Sequence, residues 1–439
     1  MNPRDSHPVS LPIDLTIQIL ARLPTKSLLR FRSVCKLWRE VLSQKQFVDL
    51  HFALSSRTRG VAIESPDHAA STPDLVCVDP ILGVSAFSLD FLDDRVKIRA
   101  SCNGLLCCSS VRSRGVYYVC NPMTREFRVL PRTRERPFTR SEPEYEATLV
   151  GLGFDPATWR IHVAIAGFHR SFGRWPRGGD RRLVCKVFDA ATGAWTRFAA
   201  SMCDEFTCMN RNQSVYAGCS MNWLTHCCRY VSVLDLENML WGKITLPDEV
   251  LATQQGTRFY LLELEGSVSV VQMSRFWMST WVLKDRAKEE WALVDRVNLR
   301  CIDGYAASVF PISQTKDVVF MATQKKILMH DRNSRVWKEV YGVEGNFTYP
   351  LWFSAFAFGS TLFPCRQAIF HMHSVRRARR SFFLLAHKSA GRRESHLRSS
   401  YKKRGVSWLP TSYFLLHLHV LIVFLFLALE KFYSLFFSC

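Results

Sequence analysis

The stretch LPIDLTIQILARLPTKSLLRFRSVCKLWREVL, residues 11–42, sets the reading of everything after it. Behind Leu11-Pro12, the residues Leu15, Ile19, Leu20 and Leu23 recur at helical spacing, which places them along one side of a helix. Pro24 stops that helix, since it brings no N–H to the turn before it. Thr25 is then positioned to cap the next helix through its hydroxyl. Leu28, Leu29, Phe31 and Val34 continue the apolar pattern, followed by Cys35, Leu37, Trp38, Val41 and Leu42. A segment of about 30 residues cannot close a stable core alone. Part of this surface therefore meets another part of the chain or another protein.

The same residues resemble an F-box. That family's outline runs Leu-Pro, a Leu/Ile helix, a second Leu-Pro, then a helix ending in Val-Cys-Lys-x-Trp. This chain supplies Leu11-Pro12, Ile19-Leu20, Leu23-Pro24, Leu28-Leu29 and Val34-Cys35-Lys36 with Trp38, in that order. Gln18 stands where an acidic residue is common. The resemblance implies a Skp-type adaptor as partner and, through it, a cullin. The residues it assigns to the adaptor contact are Leu11, Pro12, Leu15, Ile19, Leu20, Leu23, Pro24, Leu28, Leu29, Val34, Cys35, Lys36 and Trp38. A helical hairpin packed on its own domain is the plain alternative.

The whole chain has 439 residues, room for two or three domains. Its N-terminus, MNPRDSHPVS, carries no apolar run of the kind a secretory signal needs. Fifteen cysteines are scattered and never spaced C-x-x-C, so they read as small buried apolar side chains in a reducing compartment. Cys107-Cys108 and Cys227-Cys228 suit alternate faces of strands. The net charge of +20 is uneven: residues 366–439 hold 13 Lys/Arg against 2 Asp/Glu. With no RNA-recognition or zinc-finger signature, nucleic acid is not an expected partner.

Beyond residue 55 the sequence runs in short β-prone stretches divided by Gly, Pro, Asp and Asn. VFDAATGAWTRF (187–198), VLDLENMLWGKI (233–244), VLKDRAKEEWAL (282–293) and MHDRNSRVWKEV (329–340) share one pattern. An Asp precedes a Trp by six residues: Asp189 and Trp195, Asp235 and Trp241, Asp285 and Trp291, Asp331 and Trp337. Weaker copies pair Asn121 with Phe127 and Asp155 with Ile161. The acidic or amide side chain can bond the backbone of the turn that follows, and the Trp opens the returning strand. A hairpin cannot bury its own face. Six copies therefore predict blades of an all-β propeller or a related array.

This region also resembles the F-box-associated domain of plant F-box proteins. The residues that carry it are Ser101-Cys102-Asn103-Gly104-Leu105-Leu106, Asn121-Pro122-Thr124, Gly153-Phe154-Asp155-Pro156, Tyr216-Ala217-Gly218 and Asn222-Trp223-Leu224. It implies a kelch-like interaction domain that captures a target protein without naming it. Asn103-Gly104 also reads locally as a tight turn between strands.

No G-x-S-x-G, H-E-x-x-H, P-loop or G-x-G-x-x-G occurs. His226 beside Cys227-Cys228 lacks a second ligand pair, so neither a metal nor another cofactor is expected. The expectation is a non-catalytic receptor subunit of a cullin-based ubiquitin ligase, working in the cytosol or nucleus. Two other readings stand beside it: a propeller that binds sugar or acts as an enzyme, and a membrane-tethered scaffold without ligase role.

The fold class that follows is α+β and multidomain, a small helical F-box before an all-β propeller-like domain. The layout is F-box 8–52, linker 53–74, propeller-like domain 75–365, basic segment 366–408 and hydrophobic stretch 409–429. That last stretch has 21 uncharged residues, enough to span a bilayer core of about 30 Å. It reads as a membrane tail anchor, a buried helix or an atypical end of the coding sequence.

Overall fold

In a computed structural model of the chain, residues 12–55, 59–65, 74–113, 115–132, 149–168, 183–200, 214–225, 228–252, 256–302, 308–344 and 350–365 are described. The basic segment, the hydrophobic stretch 409–429, Leu11 and His226-Cys227 lie outside them. No helix among the described residues is long and apolar enough to cross a membrane.

Four helices come first: α1 (Ile13–Leu20), α2 (Thr25–Phe31), α3 (Lys36–Val41) and α4 (Lys45–Ser55). Each Leu-Pro pair opens a helix, because the fixed φ of proline (−53° at Pro12, −58° at Pro24) leads straight into the first turn. Thr25 therefore does not cap α2. It is the first residue of that helix, buried, and its hydroxyl donates to the Ser360 carbonyl at 3.1 Å. The Val-Cys-Lys-x-Trp run does not end a helix either. It starts one, with the Cys35 sulfur accepting from the Trp38 N–H at 3.4 Å.

From Gly60 to Phe358 the chain winds six four-stranded antiparallel sheets. Blade 1 takes β1 (Gly60–Glu64), β2 (Leu75–Asp79) and β3 (Gly83–Phe87). Blade 2 takes β4 (Val96–Cys102), β5 (Leu105–Ser110), β6 (Tyr117–Asn121) and β7 (Glu126–Val129). Blade 3 takes β8 (Leu149–Asp155), β9 (Arg160–Phe168), β10 (Leu183–Asp189) and β11 (Ala194–Ala200). Blade 4 takes β12 (Val215–Ala217), β13 (Ser220–Leu224), β14 (Tyr230–Asp235) and β15 (Leu240–Thr245). Blade 5 takes β16 (Arg258–Leu264), β17 (Ser267–Met273), β18 (Trp277–Asp285) and β19 (Glu290–Asn298). Blade 6 takes β20 (Phe310–Gln314), β21 (Val318–Ala322), β22 (Lys326–Asp331) and β23 (Val336–Gly342). A last strand, β24 (Ala355–Phe358), returns to pair with β1 and completes blade 1. The segment 53–74 is thus more than a linker: it carries β1, and the propeller starts at Gly60.

The repeat is a hairpin with one fixed geometry. In all six copies the Asp or Asn sits opposite the residue five further on. Its side-chain oxygen accepts the backbone N–H two residues on, at 2.8–2.9 Å in every copy. The fourth residue after it takes positive φ: Arg125, Trp159, Gly193, Met239, Glu289 and Arg335. A turn closed by such a left-handed residue is the usual way to join strands through a loop of this length.

The copies do not map one to a blade. Five mark the outer hairpins of blades 2–6, while Asp155 marks the inner hairpin of blade 3. The outer hairpin of blade 1 uses Asp79, which bonds the N–H groups of Ile81 and Leu82 at 2.8 Å, but its loop is one residue shorter and no Trp follows. One extra copy and one missed hairpin leave six blades. Cys107 and Cys108 are buried in β5 as expected, whereas Cys228 lies in a turn at φ 50°. Asn103-Gly104 forms the β4–β5 turn with φ 48° and 80°. A side chain at Gly104 would collide with the Gly359 carbonyl.

In blades 3–6 the Trp of the outer hairpin packs against the preceding blade. The Trp195 indole donates to the Pro131 carbonyl at 2.7 Å, just past β7, and Trp291 donates to Thr245 at 2.9 Å, the end of β15. Trp241 packs at the seam of blades 3 and 4 beside the buried Trp223, and Trp337 at the seam of blades 5 and 6. The apolar core is thus a ring of seams. One seam also holds charge: Asp295 on β19 lies 3.0 Å from Arg332 and 2.7 Å from Arg335, both in the blade 6 turn. Arg332 further donates to the Thr315 carbonyl and Gln314 Oε1.

Two outcomes follow from buried charge. Asp295→Ala leaves the buried Arg332 without its counter-charge and should lower stability by about 3 kcal/mol, read from urea unfolding. Burial also pushes Glu64 up to about 7, although its Oε1 accepts the Ile98 N–H at 2.9 Å. An unfolded Glu releases its proton near pH ~4.3. The neutral folded form thus contributes stability that is fully present below that pH and is lost as pH rises through about 7. Glu64→Gln should abolish this fall, seen as a urea midpoint that no longer drops between acidic and neutral pH.

Candidate functional site

The helical unit has an inward and an outward side. Leu20, Leu23 and Leu28 are buried with Val41, Leu42, Phe47 and Val48. His51 is also buried, and its Nε2 lies 3.1 Å from the Leu23 carbonyl. That leaves Leu20, Leu23 and Leu28, from the sequence-derived contact set, as the floor of the unit. Pro12, Leu15 and Lys36 are exposed; Ile19, Pro24, Leu29, Val34, Cys35 and Trp38 are half-buried. Leu37 was absent from that set, yet it is 46% exposed, close to the 52% of Leu15. Helical position did not mark it, because Leu37 is the second residue of α3, two after the N-cap Cys35, and Val41 four residues on is buried.

The unit is fixed to the propeller through α4 and the seven residues after β24. Phe363 is fully buried, with its ring 4.8 Å from Phe52, 4.3 Å from Phe154 and 6.0 Å from Trp159. Asn121 holds this strap by donating to the carbonyls of Thr361 and Phe363 at 3.0 and 2.8 Å. Trp159, the left-handed residue of the inner hairpin in blade 3, donates its indole N–H to Asp49 at 2.8 Å, and Lys45 lies over its ring at 4.9 Å. The Asp155 copy, which marks no separate blade, is where the helices land.

All inner turns point to this one face. They surround a cavity of about 470 Å³ at the axis, lined among others by Phe52, Arg59, Asn103, Tyr216, Glu263 and Asp317. Arg59 crosses it, paired with Glu263 and donating to Asn103 Oδ1 at 3.0 Å. Burial lowers the Arg59 pKa and pushes the Cys102 thiol up to about 12. Among the described residues no three His, Cys, Asp or Glu side chains are grouped to hold a metal. The arrangement provides two surfaces at a fixed separation: the outward side of the helices, and the propeller face that carries the connections between the second and third strands.

Comparison with known proteins agrees with this division. Residues 9–49 match the F-box domain, and residues 97–352 match the family described as F-box protein AT5G49610-like, beta-propeller. The chain is 47% identical to the F-box protein At5g49610 of Arabidopsis thaliana over 356 residues, which is 81% of this chain and 97% of that protein. It is 23% identical to the putative F-box/kelch-repeat protein At1g12870 over 73% of this chain and 83% of that one. It is 25% identical to the F-box/LRR-repeat protein At2g43260 over 77% and 79%; both are from Arabidopsis thaliana.

Phe363→Ala empties the aromatic nest below α4 and should cost about 3–5 kcal/mol. The helical and β signals, coincident in the parent during thermal unfolding, should separate in the variant, with the helices lost first.

Proposed function

This chain belongs to the plant F-box proteins with an At5g49610-like β-propeller, and from that membership we propose that it is the substrate-recognition subunit of a Skp–cullin–F-box ubiquitin ligase. The helices bind the adaptor and the propeller binds a target protein. The subunit itself carries out no chemistry. It raises ubiquitin transfer by holding the target near a charged conjugating enzyme, converting a bimolecular encounter into a local one. Such a task favours a rigid bridge, and the strap 359–365 with the Trp159–Asp49 bond supplies one.

The observation that carries the adaptor half is the pair of exposed leucines. The inward apolar side of the unit is already filled by its own core and by the strap. Leu15 and Leu37 remain in water, and apolar side chains in that position favour a protein partner. The adaptor face is accordingly Pro12, Leu15, Ile19, Leu29, Val34, Lys36, Leu37 and Trp38, with Leu20, Leu23 and Leu28 supporting it from beneath.

Leu15→Asp combined with Leu37→Asp should weaken binding to a purified Skp-type adaptor at least about tenfold, roughly 1.4 kcal/mol, with the helical signal unchanged because both sites are exposed. Leu28→Asp should instead unfold the helices. Undiminished adaptor binding by the double variant would refute the assigned face.

A further inference from the structure

Blade 5 carries an arginine–aromatic cluster that nothing above uses. It lies at the turn from β17 to β18 and at the far end of β19, the ends opposite those turned toward the helices. Arg275, Phe276 and Trp277 are exposed in succession, and on β19 and beyond it Arg296, Asn298 and Arg300 are exposed while Asp295, Val297 and Leu299 are buried. The alternation puts the two arginines on one side of the strand.

The cluster is built rather than incidental. Ser274 Oγ accepts the Trp277 N–H at 3.1 Å, Ser274 N–H donates to the Trp277 carbonyl at 2.9 Å, and Leu299 N–H donates to Phe276 at 2.8 Å. These bonds fix the turn against the end of β19. Arg296 lies 4.6 Å from the Trp277 ring centre, while Arg275 and Arg300 lie 5.1 and 5.5 Å from that of Phe276. Rings hold each guanidinium in place. The ion pairs among the described residues include none of the three arginines. The nearest carboxylate in sequence, Asp295, is turned inward to Arg332 and Arg335.

We propose that this cluster docks an acidic segment of the target protein, its Asp or Glu carboxylates engaging the guanidinium forks of Arg275, Arg296 and Arg300 beside an apolar side chain packed along the exposed edges of Phe276 and Trp277. The assignment to a target rests on the function proposed above; the acidic specificity rests on the cluster alone. Each of the three arginines presents a planar guanidinium fork suited to a carboxylate, and none is ion-paired among the described residues. Nucleic acid fits less well, because the ring faces on which bases would stack are already covered by guanidinium groups.

The test uses the full chain co-purified with its adaptor and a fluorescent Glu-Glu-Leu-Glu-Glu peptide, with a Lys-Lys-Leu-Lys-Lys peptide and a single-stranded RNA as comparators. The parent should bind the acidic peptide over both. Arg275→Glu with Arg296→Glu and Arg300→Glu should reduce that binding at least tenfold, and the corresponding Lys variant should fall between, having charge but no fork. No binding of the acidic peptide, equal binding by the Glu variant, or tighter RNA binding lost in that variant would each overturn the proposal. Adaptor capture reports separately: its loss in the parent would count against the ligase role, while its retention in the Glu variant shows that the fold is intact.

Discussion

The pairing of β1 with β24 is the contact on which the rest of the molecule depends. Gly60 to Ile63 lie antiparallel to Phe358 back to Ala355, joining the two ends of the propeller. A side chain at Gly60 would run into the Val78 carbonyl, so the closure needs glycine there. Without it, blade 1 lacks its inner strand and blade 6 lacks a neighbour, since the seam between them is built from Val61, Ile63 and Ala355 together with Phe320 and Ile327. Each blade keeps its own edge strands, and the complete ring leaves those edges short and protected.

The same closure places the helices. The chain enters the ring from α4 and leaves it through the strap, so both ends of the propeller lie under the helical unit. Phe363 then joins Phe52 to Phe154 and Trp159. Ring closure and attachment of the F-box are one arrangement of residues, and the distance between the outward side of the helices and the far propeller face follows from it.

What the sequence made legible was local. The Asp-to-Trp spacing is visible because one hairpin contains the turn bond, the left-handed residue and the ring. Spacing cannot tell an inner hairpin from an outer one, which is why Asp155 counted as a blade; nor can it register the shorter Asp79 loop, where no Trp follows. The partnership of β1 with β24 left no trace, because strand pairing across nearly the whole propeller depends on residues that carry no mark of each other. In the F-box the apolar set was readable but its orientation was not: Leu28 and Leu37 look alike in sequence, yet Leu28 is fully buried and Leu37 is exposed. The arginine cluster needed the turn at Ser274 to bring Arg275 beside Arg300.

The strap also bears on how the protein is made. A ribosome delivers the F-box first, yet the floor beneath α4 includes Phe363, which emerges after every blade. Domains tend to fold as they leave the exit tunnel, but this helical unit waits for residues at the other end of the ring before its underside is dry. During synthesis the apolar underside of the helices and the open edge of β1 are exposed together, and β24 with its strap covers both in one late step. An interrupted chain therefore presents an unfinished F-box as well as an unfinished propeller, so that a broken copy is marked at both of its ends.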